Sequence, residues 1–303
     1  MSRLSMLDGE SVRARIPMGT AIEAIHRALR SGVDPAADPA RSVLPTDHGQ
    51  VLLMPSVTPA HAGVKLVTIA HDNPDRGLPR IQGIYLLLDA LTLTPQLLLD
   101  GAALTAIRTP AVSAAAADLI AVNEASRLVV FGTGPQAWGH VEALRVVRPV
   151  SDVTVVGRND NRVAEFVDRC AAAGLRATSG TADAVADADL VACCTTSREP
   201  LFDGGKLAPH ATVLAVGTHD AEAREVDTAT VRSCEVVVED HDTALREAGD
   251  VVIPLNEGAL RADELITLTA LARGEKRLDP STPKLFKSVG MAWQDLAVAA
   301  VLA

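Results

Sequence analysis

The sequence predicts an α/β fold that combines a doubly wound parallel (Rossmann) sheet with a separate α+β module built on an antiparallel or mixed sheet. Three observations favour it. Strands and helices alternate in the second half of the chain, strands follow one another over short turns in the first half, and a glycine-rich loop stands between a strand and a helix. A chain of 303 residues is long enough for two such domains.

The second half contains six strand-like segments, and their order is typical of parallel βαβ units. Helical stretches separate the first three, and one of them places Trp138, Val141 and Leu144 near a 3.6-residue period. Six strands in this order predict a doubly wound sheet. The segments are Arg127–Phe131, Val153–Val156, Arg176–Ser179, Asp189–Cys194, Thr212–Val216 and Cys234–Val238.

The first part of the chain differs because its strands are not separated by helices, which favours antiparallel or mixed pairing. One amphipathic helix is predicted over Ala21–Leu29. Thr109-Pro110 has the form of a helix start, with threonine as N-cap and proline at the first helical position, and this helix is expected to bridge the modules. The predicted strands are Val51–Met54, Gly63–Ala70, Ile81–Leu88 and Gln96–Leu99.

Composition excludes several classes of partner. The chain has 38 acidic and 28 Lys or Arg residues, a net charge of −10 and 2% aromatic residues, so it is a poor candidate for nucleic acid or an anionic membrane surface. No signal peptide or membrane span is predicted, and four cysteines without C-x-x-C spacing favour a reduced, cytoplasmic protein. Clustered Cys and His residues are absent from the sequence, so no metal site is expected.

The hexapeptide Gly132-Thr133-Gly134-Pro135-Gln136-Ala137 is a G-x-G-x-x-A motif between a strand and a helix. Its glycines permit a tight turn and a close approach of a pyrophosphate, and the helix N-terminus offers free N–H groups to the anion. The alternative is an ordinary tight turn. In this strand–loop–helix context the motif predicts a dinucleotide site.

The end of the next strand predicts which dinucleotide is bound. NAD sites usually place an acidic residue there, whereas NADP sites leave room and use arginine. The strand ends in Gly157-Arg158-Asn159, and Arg162 follows one turn later. NADP(H) is therefore favoured over NAD(H), unless Arg158 is only a solvated loop residue.

Several cations lie in unusual surroundings. Lys65, in an apolar strand, is either an edge gatekeeper or a ligand-facing charge. Arg108 precedes the predicted N-cap, where it could hold a carboxylate together with the helix N-terminus. Arg41 and Arg80 are flanked by apolar residues, and His219 follows a strand end at the predicted cofactor edge. Each of these also has a structural or solvated interpretation.

These motifs together resemble the ornithine cyclodeaminase/mu-crystallin family over nearly the whole chain. The resemblance rests on Leu52–Pro55, Val64-Lys65, Asn73, Gly77–Pro79, Leu104–Thr109, the glycine loop, Thr195–Pro200, Gly217, Arg224–Asp227, Lys287–Ala292 and Asp295.

The resemblance implies a division of the chain into three parts. Residues 1–112 would form a substrate-binding and dimerisation domain, and residues 113–285 the Rossmann domain. Residues 286–303 would form a C-terminal helix that returns to the first domain. A homodimer is expected on the same ground.

The resemblance also implies site residues. Arg41, Lys65 and Arg108 fall on the cations that bind the substrate carboxylate, and Arg80 stands where the substrate pocket usually has a small hydroxyl residue. Lys65 and His219 are candidates for the proton transfer. The expected cofactor-binding residues are Thr109, Gly132, Thr133, Gly134, Pro135, Gln136, Ala137, Gly157, Arg158, Asn159, Arg162, Thr195, Thr196, Ser197, Gly217, Thr218, Ser288, Val289 and Gly290.

Two departures from the family pattern bear on the reaction. His219 occupies the position of the catalytic aspartate of cyclodeaminases, and Gly157-Arg158 replaces the acid of NAD-binding members. Both favour an NADPH-dependent reductase of a C=N bond beside a carboxylate, such as a cyclic ketimine acid. The alternatives are a cyclodeaminase-type lyase, an alanine-dehydrogenase-like or opine-type oxidoreductase, and a non-catalytic NADPH-dependent binding protein.

Overall fold

The structure is a computed structural model, and it describes residues 4–303 apart from the side chain of Pro74. The chain forms two compact units. The first runs to Thr109 and also takes in Met291–Ala303, and the second is Pro110–Gly290. The boundaries predicted at 112/113 and 285/286 lie near these divisions, and the second unit extends further toward the C-terminus than expected.

The regular elements are numbered in chain order. The strands are β1 (Ser5–Leu7), β2 (Ser42–Thr46), β3 (Gly49–Val57), β4 (His61–Ile69), β5 (Ile81–Asp89), β6 (Pro95–Asp100), β7 (Arg127–Phe131), β8 (Asp152–Val156), β9 (Arg176–Ser179), β10 (Leu190–Cys193), β11 (Thr212–Ala215), β12 (Glu235–Val238), β13 (Ile266–Thr267) and β14 (Lys284–Lys287). The α-helices are α1 (Gly9–Arg15), α2 (Met18–Arg30), α3 (Gly101–Ile120), α4 (Pro135–Val147), α5 (Asp160–Ala172), α6 (Thr228–Ser233), α7 (His241–Glu247), α8 (Gly249–Asn256), α9 (Leu268–Ala272) and α10 (Ala292–Ala299).

The first unit contains a mixed sheet, as predicted. Over the described residues its strand order is β1-β6-β5-β4-β3-β2, with β1 and β6 parallel and the other pairs antiparallel. One face packs against α10, which in turn packs against α2, and Tyr85, Leu87 and Leu99 are fully buried. β1, β2 and α1 were not predicted from the sequence. β2 is an exposed edge strand that contains Pro45, which edge strands tolerate.

The second unit contains a parallel sheet whose order is β13-β12-β14-β11-β10-β7-β8-β9 over the described residues. The six predicted strands are confirmed with small changes at their ends. β13 and β14 were missed, and residues 286 and 287 belong to β14 rather than to a C-terminal helix. β8 and β9 lie on one side of β7, and the next strands along the chain, β10 and β11, lie on its other side. The sheet is therefore doubly wound, with its switch point between β7 and β10.

The helix predicted to start at Thr109-Pro110 instead begins at Gly101 and runs to Ile120. Asp100 caps it by accepting a hydrogen bond from the backbone N–H of Ala103 at 2.8 Å. Thr109 is therefore an interior residue, and Arg108 has no helix N-terminus beside it. Pro110 lies inside the helix, where proline is unfavourable. The free energy gained by packing outweighs this cost, because Ala111, Val112 and residues 114–117 are completely buried. Pro110 marks the start of the second compact unit and not the start of a helix.

α3 is also the one helix among residues 4–303 that is long and apolar enough to cross a membrane by length and composition. However, 72% of its most apolar window is buried within the protein. Burial of this extent is typical of a core helix. The four cysteines are free, and Cys170 and Cys193 are buried while Cys194 and Cys234 are half-buried.

A buried histidine joins α3 to α4 inside the second unit. The Nδ1 atom of His140 lies 2.7 Å from the carbonyl oxygen of Gln136, and its Nε2 atom lies 2.9 Å from the Ser113 hydroxyl. Burial lowers the pKa of His140 to about 4, against 6.5 ordinarily. The imidazole is therefore neutral in the folded protein at neutral pH.

This histidine should make the protein sensitive to mild acid. Between pH 6.5 and about 4 the unfolded chain binds a proton that folded His140 does not, so stability falls as the pH falls. We expect His140 to remove about 2 kcal/mol of unfolding free energy between pH 7 and pH 5. Urea unfolding at pH 7 and pH 5 should show that His140→Gln loses less unfolding free energy between the two pH values than the unaltered protein does. The exposed His48→Gln control should keep the full loss, and an equal loss in all three proteins would contradict this assignment.

Candidate active site

Lys65 lies in the middle of the first unit's sheet and not at its edge. β4 pairs with β3 on one side and β5 on the other, and Lys65 stands opposite Met54 and Tyr85. Its side chain is 2% exposed, on the same buried face as Val67 and Ile69. The edge-gatekeeper interpretation is therefore wrong, and a lysine in this position needs a buried partner.

The partner is Asp295 on α10. Lys65 Nζ lies 2.6 Å from Asp295 Oδ2, and Arg108 Nε lies 3.3 Å from Asp295 Oδ1. Arg108 Nη1 also donates to Gln294 Oε1 at 2.8 Å, and Lys65 Nζ donates to Thr105 Oγ1 at 3.3 Å. The Asp295 carboxylate is completely buried. Asp295 of α10 thus lies between two buried cations, Lys65 of β4 and Arg108 of α3.

This group has an excess of positive charge. Desolvation and the nearby Arg108 guanidinium lower the pKa of Lys65 to about 7, Asp295 opposes this shift, and Arg41 adds to it. Arg41, which is half-buried, therefore lies close enough to act on Lys65 electrostatically. We call Arg41, Lys65, Arg108 and Asp295 the cation cluster. Because it has three basic groups and one carboxylate, it can accept a further anion.

Tyr85, the single tyrosine of the chain, packs beside this cluster. It is fully buried opposite Lys65, and no hydrogen-bond partner of its hydroxyl is found among residues 4–303. Burial, together with the Asp295 and Asp38 carboxylates, raises the pKa of Tyr85 well above 10, so the phenol stays neutral. A Cβ at Gly63 would lie 2.0 Å from the Tyr85 hydroxyl, so only glycine leaves room for this ring.

Arg80 is not part of the described cluster. It is half-buried in the segment before β5, and its Nη2 atom lies 2.9 Å from His71 Nδ1. Among the contacts found for residues 4–303, none joins Arg80 to Lys65 or Arg108. Its predicted substrate role stays a prediction.

The glycine loop of the second unit has the local geometry that a pyrophosphate requires. Gly132 follows β7 with φ +108°, and a Cβ there would lie 2.6 Å from the carbonyl oxygen of Cys194. Gly134 is the N-cap of α4, and a Cβ there would meet nothing within 4 Å. Pro135 occupies the first helical turn, where no N–H is needed. The open backbone at Gly134 fits the close approach of a phosphate to a helix N-terminus.

The end of β8 adjoins this loop, since a Cβ at Gly157 would lie 3.4 Å from Thr133 Cγ2. Arg158 and Arg162 are exposed there, and no ion pair of either is found among the described residues. The Asn159 side chain caps α5 by accepting from the backbone N–H of Arg162 at 3.0 Å. Asn159 thus orients the segment that carries the two arginines.

Glu225, which is buried, links the ends of β10 and β11 by hydrogen bonds. It was not among the site residues predicted from the sequence. Glu225 Oε1 accepts from the Thr195 backbone N–H at 2.8 Å and from the Thr195 hydroxyl at 2.7 Å, and Oε2 accepts from the Gly217 N–H at 2.7 Å. Burial raises the pKa of Glu225. A Cβ at Gly217 would lie 2.4 Å from Glu225, so this contact requires glycine.

A second buried ion pair supports the same edge of the sheet. Lys287 Nζ lies 2.8 Å from Asp250 Oδ2, with both side chains completely buried, and it also donates to the Thr218 carbonyl at 2.7 Å. Asp250 in turn accepts from the backbone N–H groups of Glu225 and Val226. His219, which follows Thr218, is exposed.

Hydrogen bonds to Glu239 hold the segment after β14 in place. Its carboxylate accepts hydrogen bonds from the Ser288 hydroxyl at 2.7 Å and from the N–H groups of Val289 and Gly290 at 2.8 and 3.0 Å. Glu225, Lys287 and Asp295 belong to the motifs of the family resemblance, but none of them was among the site residues predicted from the sequence. In the described part of the chain no group of three or more His, Cys, Asp and Glu side chains could hold a metal ion.

Comparison with known proteins extends these observations. The sequence profile described as "Ornithine cyclodeaminase/mu-crystallin family" matches residues 4–303. The chain belongs to this family. The family resemblance and the α/β fold predicted from the sequence are thereby confirmed.

Individual relatives are similar over most of their length. A Delta(1)-pyrroline-2-carboxylate reductase of Colwellia psychrerythraea is 34% identical over 261 residues, 84% of this chain and 83% of that protein. The structure of the Thermococcus litoralis Delta(1)-pyrroline-2-carboxylate reductase in complex with NADH and L-proline has a TM-score of 0.91 at 28% identity, covering 98% of this chain and 96% of that chain. An archaeal alanine dehydrogenase dimer with bound NAD has a TM-score of 0.92 at 27% identity, covering 99% and 94%.

Proposed function

We propose that this protein is an NAD(P)H-dependent oxidoreductase that reduces the C=N bond of a cyclic ketimine acid, such as pyrroline-2-carboxylate or piperideine-2-carboxylate. The observation that carries the proposal is the buried cation cluster, which has positive charge in excess of its single carboxylate. The reductases similar to this chain, and the related structure with NADH and L-proline, support the same reaction class.

The two units have separate tasks in this proposal. Arg41, Lys65 and Arg108 of the first unit bind the substrate carboxylate by charge-assisted hydrogen bonds, which fix the orientation of the imine. The loop from Gly132 to Ala137 in the second unit binds the dinucleotide, which when bound supplies a hydride to the imine carbon. Glu225 and Glu239 position the loops at the carboxyl edge of the parallel sheet.

Lys65 is the proposed proton donor to the imine nitrogen. A group with a pKa of about 7 is protonated on the acid side of neutrality and can give up its proton readily. We therefore expect kcat/KM for pyrroline-2-carboxylate to fall as the pH rises through about 7. This decrease of kcat/KM with rising pH should be absent in Lys65→Met and present in His219→Gln. If the decrease is absent in His219→Gln and present in Lys65→Met, the histidine is the donor and our assignment is wrong.

We propose NADP(H) as the preferred cofactor, with the 2′-phosphate near Arg158. The exposed Arg158 and Arg162, the glycine at position 157 and the lack of an acidic side chain at the end of β8 support this preference. The related structures with NADH and NAD support a nicotinamide cofactor of either kind. Arg158→Ala should raise KM for NADPH and leave KM for NADH unchanged. An equal change for both cofactors would contradict the proposal.

A coenzyme-oxidation screen tests the function. Purified protein is given NADPH or NADH with pyrroline-2-carboxylate, piperideine-2-carboxylate, and pyruvate plus ammonium, and the product is identified by chromatography. We expect NADPH-dependent formation of proline and pipecolate. Ammonia release from L-ornithine without imine reduction would replace the proposal by a cyclodeaminase, and NADPH binding without turnover of any substrate would replace it by a binding protein.

We also propose that the protein is a homodimer that associates through the outer face of the mixed sheet. The register places Leu44, Leu53, Leu66, Ile84 and Met6 on this face, and all except Leu66 are exposed. An uncovered apolar sheet face is typical of an interface, and a related alanine dehydrogenase is a dimer. The double variant Leu53→Lys/Ile84→Lys should sediment as a monomer, and Val146→Lys on α4 should not. A monomer in the unaltered protein would refute the proposal.

A further inference from the structure

Gln294 on α10 holds the guanidinium of Arg108. Its Oε1 atom accepts a hydrogen bond from Arg108 Nη1 at 2.8 Å, although the two residues are 186 positions apart in the sequence. Both belong to the first unit, and Gln294 is completely buried. No other hydrogen bond of the Arg108 side chain is found among residues 4–303, since Nε approaches Asp295 only as an ion-pair partner at 3.3 Å. The orientation of the guanidinium therefore depends on Gln294.

The position of the Gln294 oxygen is fixed by a second donor. Met291 is the N-cap residue of α10, and its backbone N–H donates to the same Oε1 atom at 3.2 Å. Because an arginine nitrogen and a backbone N–H are both donors, only the oxygen of the amide can face them. The start of α10 and the Arg108 side chain thus share one acceptor, and the helix determines where that acceptor lies.

This hydrogen bond leaves one nitrogen of the guanidinium available to a ligand. Arg108 Nε is closed to solvent, whereas Nη2 is open to solvent and has no hydrogen-bond partner among residues 4–303. A guanidinium is planar, so holding Nη1 also fixes the direction of both Nη2 N–H bonds. These bonds can donate to an incoming anion without a prior movement of the side chain.

Gln294 differs from the other acceptor beside Arg108 because it is uncharged. Asp295 already places a negative charge 3.3 Å from Arg108 Nε and 2.6 Å from Lys65 Nζ. A second carboxylate at position 294 would reduce the excess positive charge of the cation cluster, so the cluster would attract a further anion less strongly. An amide supplies the same acceptor oxygen and leaves that charge unchanged.

We propose that Gln294 is a positioning residue of the substrate site, which orients Arg108 toward the substrate carboxylate without neutralising it. This inference rests on the proposed reductase function, because it assigns a task within the same site. The amide oxygen fixes Nη1, the Nη2 N–H groups donate to the carboxylate, and the positive charge of the cation cluster stays available to the substrate. The oxygen of Gln294 and its neutrality are both required.

Binding of a substrate analogue that is not reduced tests this assignment without depending on turnover. The probe is pyrrole-2-carboxylate, a planar five-membered ring that carries the carboxylate, and the matched control is pyrrole-2-carboxamide, which lacks the charge. Isothermal titration calorimetry with NADP⁺ present gives both dissociation constants. The variants are Gln294→Glu, which keeps the oxygen and adds a charge, and Gln294→Met, which removes the oxygen at similar size. Asn123→Asp adds the same charge at an exposed position of the second unit.

We expect the unaltered protein to prefer the acid to the carboxamide. Both Gln294 variants should bind the acid at least about tenfold more weakly, with little change for the carboxamide, because a charge-assisted hydrogen bond is misdirected or its cation is neutralised. Asn123→Asp should bind both compounds as the unaltered protein does. If Gln294→Met does not fold, Gln294→Glu still makes the comparison, because it keeps both hydrogen bonds of the oxygen.

The outcomes separate this inference from the proposed function. Full affinity for the acid in a folded Gln294 variant would overturn the inference and leave the reductase proposal in place. Equal losses for the acid and the carboxamide would also overturn it, since they would indicate a purely structural role. The absence of any preference for the acid in the unaltered protein would contradict the carboxylate site itself, and this inference with it.

Discussion

Replacing Asp295 with asparagine is expected to lower the free energy of unfolding by about 3–5 kcal/mol, because two buried cations lose their shared counter-charge. The loss should be largest below pH 7, where Lys65 is protonated. It should be smaller at pH 9, where Lys65 is neutral and only Arg108 lacks a partner. Urea unfolding at pH 6 and pH 9 measures both effects.

The control for Asp295 is Asp183, which pairs with Lys206 at 2.6 Å where both side chains are largely exposed. Asp183→Asn removes the same charge from a pair in water, so it should change stability little and show no such pH dependence. Equal losses for the two variants would show that the Asp295 pair is not a buried charge centre. The cation cluster would then lack the excess positive charge that binding of an anion requires.

Alanine substitutions at the two loop glycines should separate folding from dinucleotide binding. Gly134→Ala adds a methyl group in open space at an extended N-cap residue, so it should cost less than about 1 kcal/mol of stability. The same methyl group would occupy the space that a pyrophosphate needs, and we expect at least a tenfold loss of NADPH affinity. Quenching of NADPH fluorescence measures the affinity.

Gly132→Ala is the matched variant and should behave differently. Its positive φ costs a non-glycine residue about 1–3 kcal/mol, and the added Cβ collides with the Cys194 carbonyl oxygen, so stability itself should fall. If Gly134→Ala binds NADPH normally, the loop is a tight turn and not the dinucleotide site. If Gly132→Ala is as stable as the unaltered protein, the strained turn does not depend on glycine.

Much of the second unit could be predicted from the sequence because β7, β8, β11 and β12 are short runs rich in β-branched residues with a clear break after each. β14 could not, since only Leu285 and Phe286 of its four residues are apolar and both flanking lysines are buried by partners distant in sequence. The start of α3 was misjudged for a related reason. Thr109-Pro110 carries the local signals of a helix start, and tertiary packing of the alanine-rich segment overrides them.

For the candidate site, the cations could be recognised from the sequence and their partners could not. Lys65 stands out as a charge in an apolar strand, but nothing local says whether that strand is central or at an edge. Asp295 is 230 residues away along the chain, so its ion pair with Lys65 arises from the fold alone. The same holds for Glu225, whose three donors come from the ends of two other strands.

The central claim is that the cation cluster recognises the carboxylate beside the imine. The direct measurement compares kcat/KM for pyrroline-2-carboxylate and for 1-pyrroline, which lacks the carboxylate, in the unaltered protein, in Arg108→Lys and in Arg108→Met. We predict a strong preference for the acid, retained in part by Arg108→Lys and reduced about 10- to 100-fold by Arg108→Met, with NADPH affinity unchanged. An unaltered preference for the acid in Arg108→Met would contradict the account.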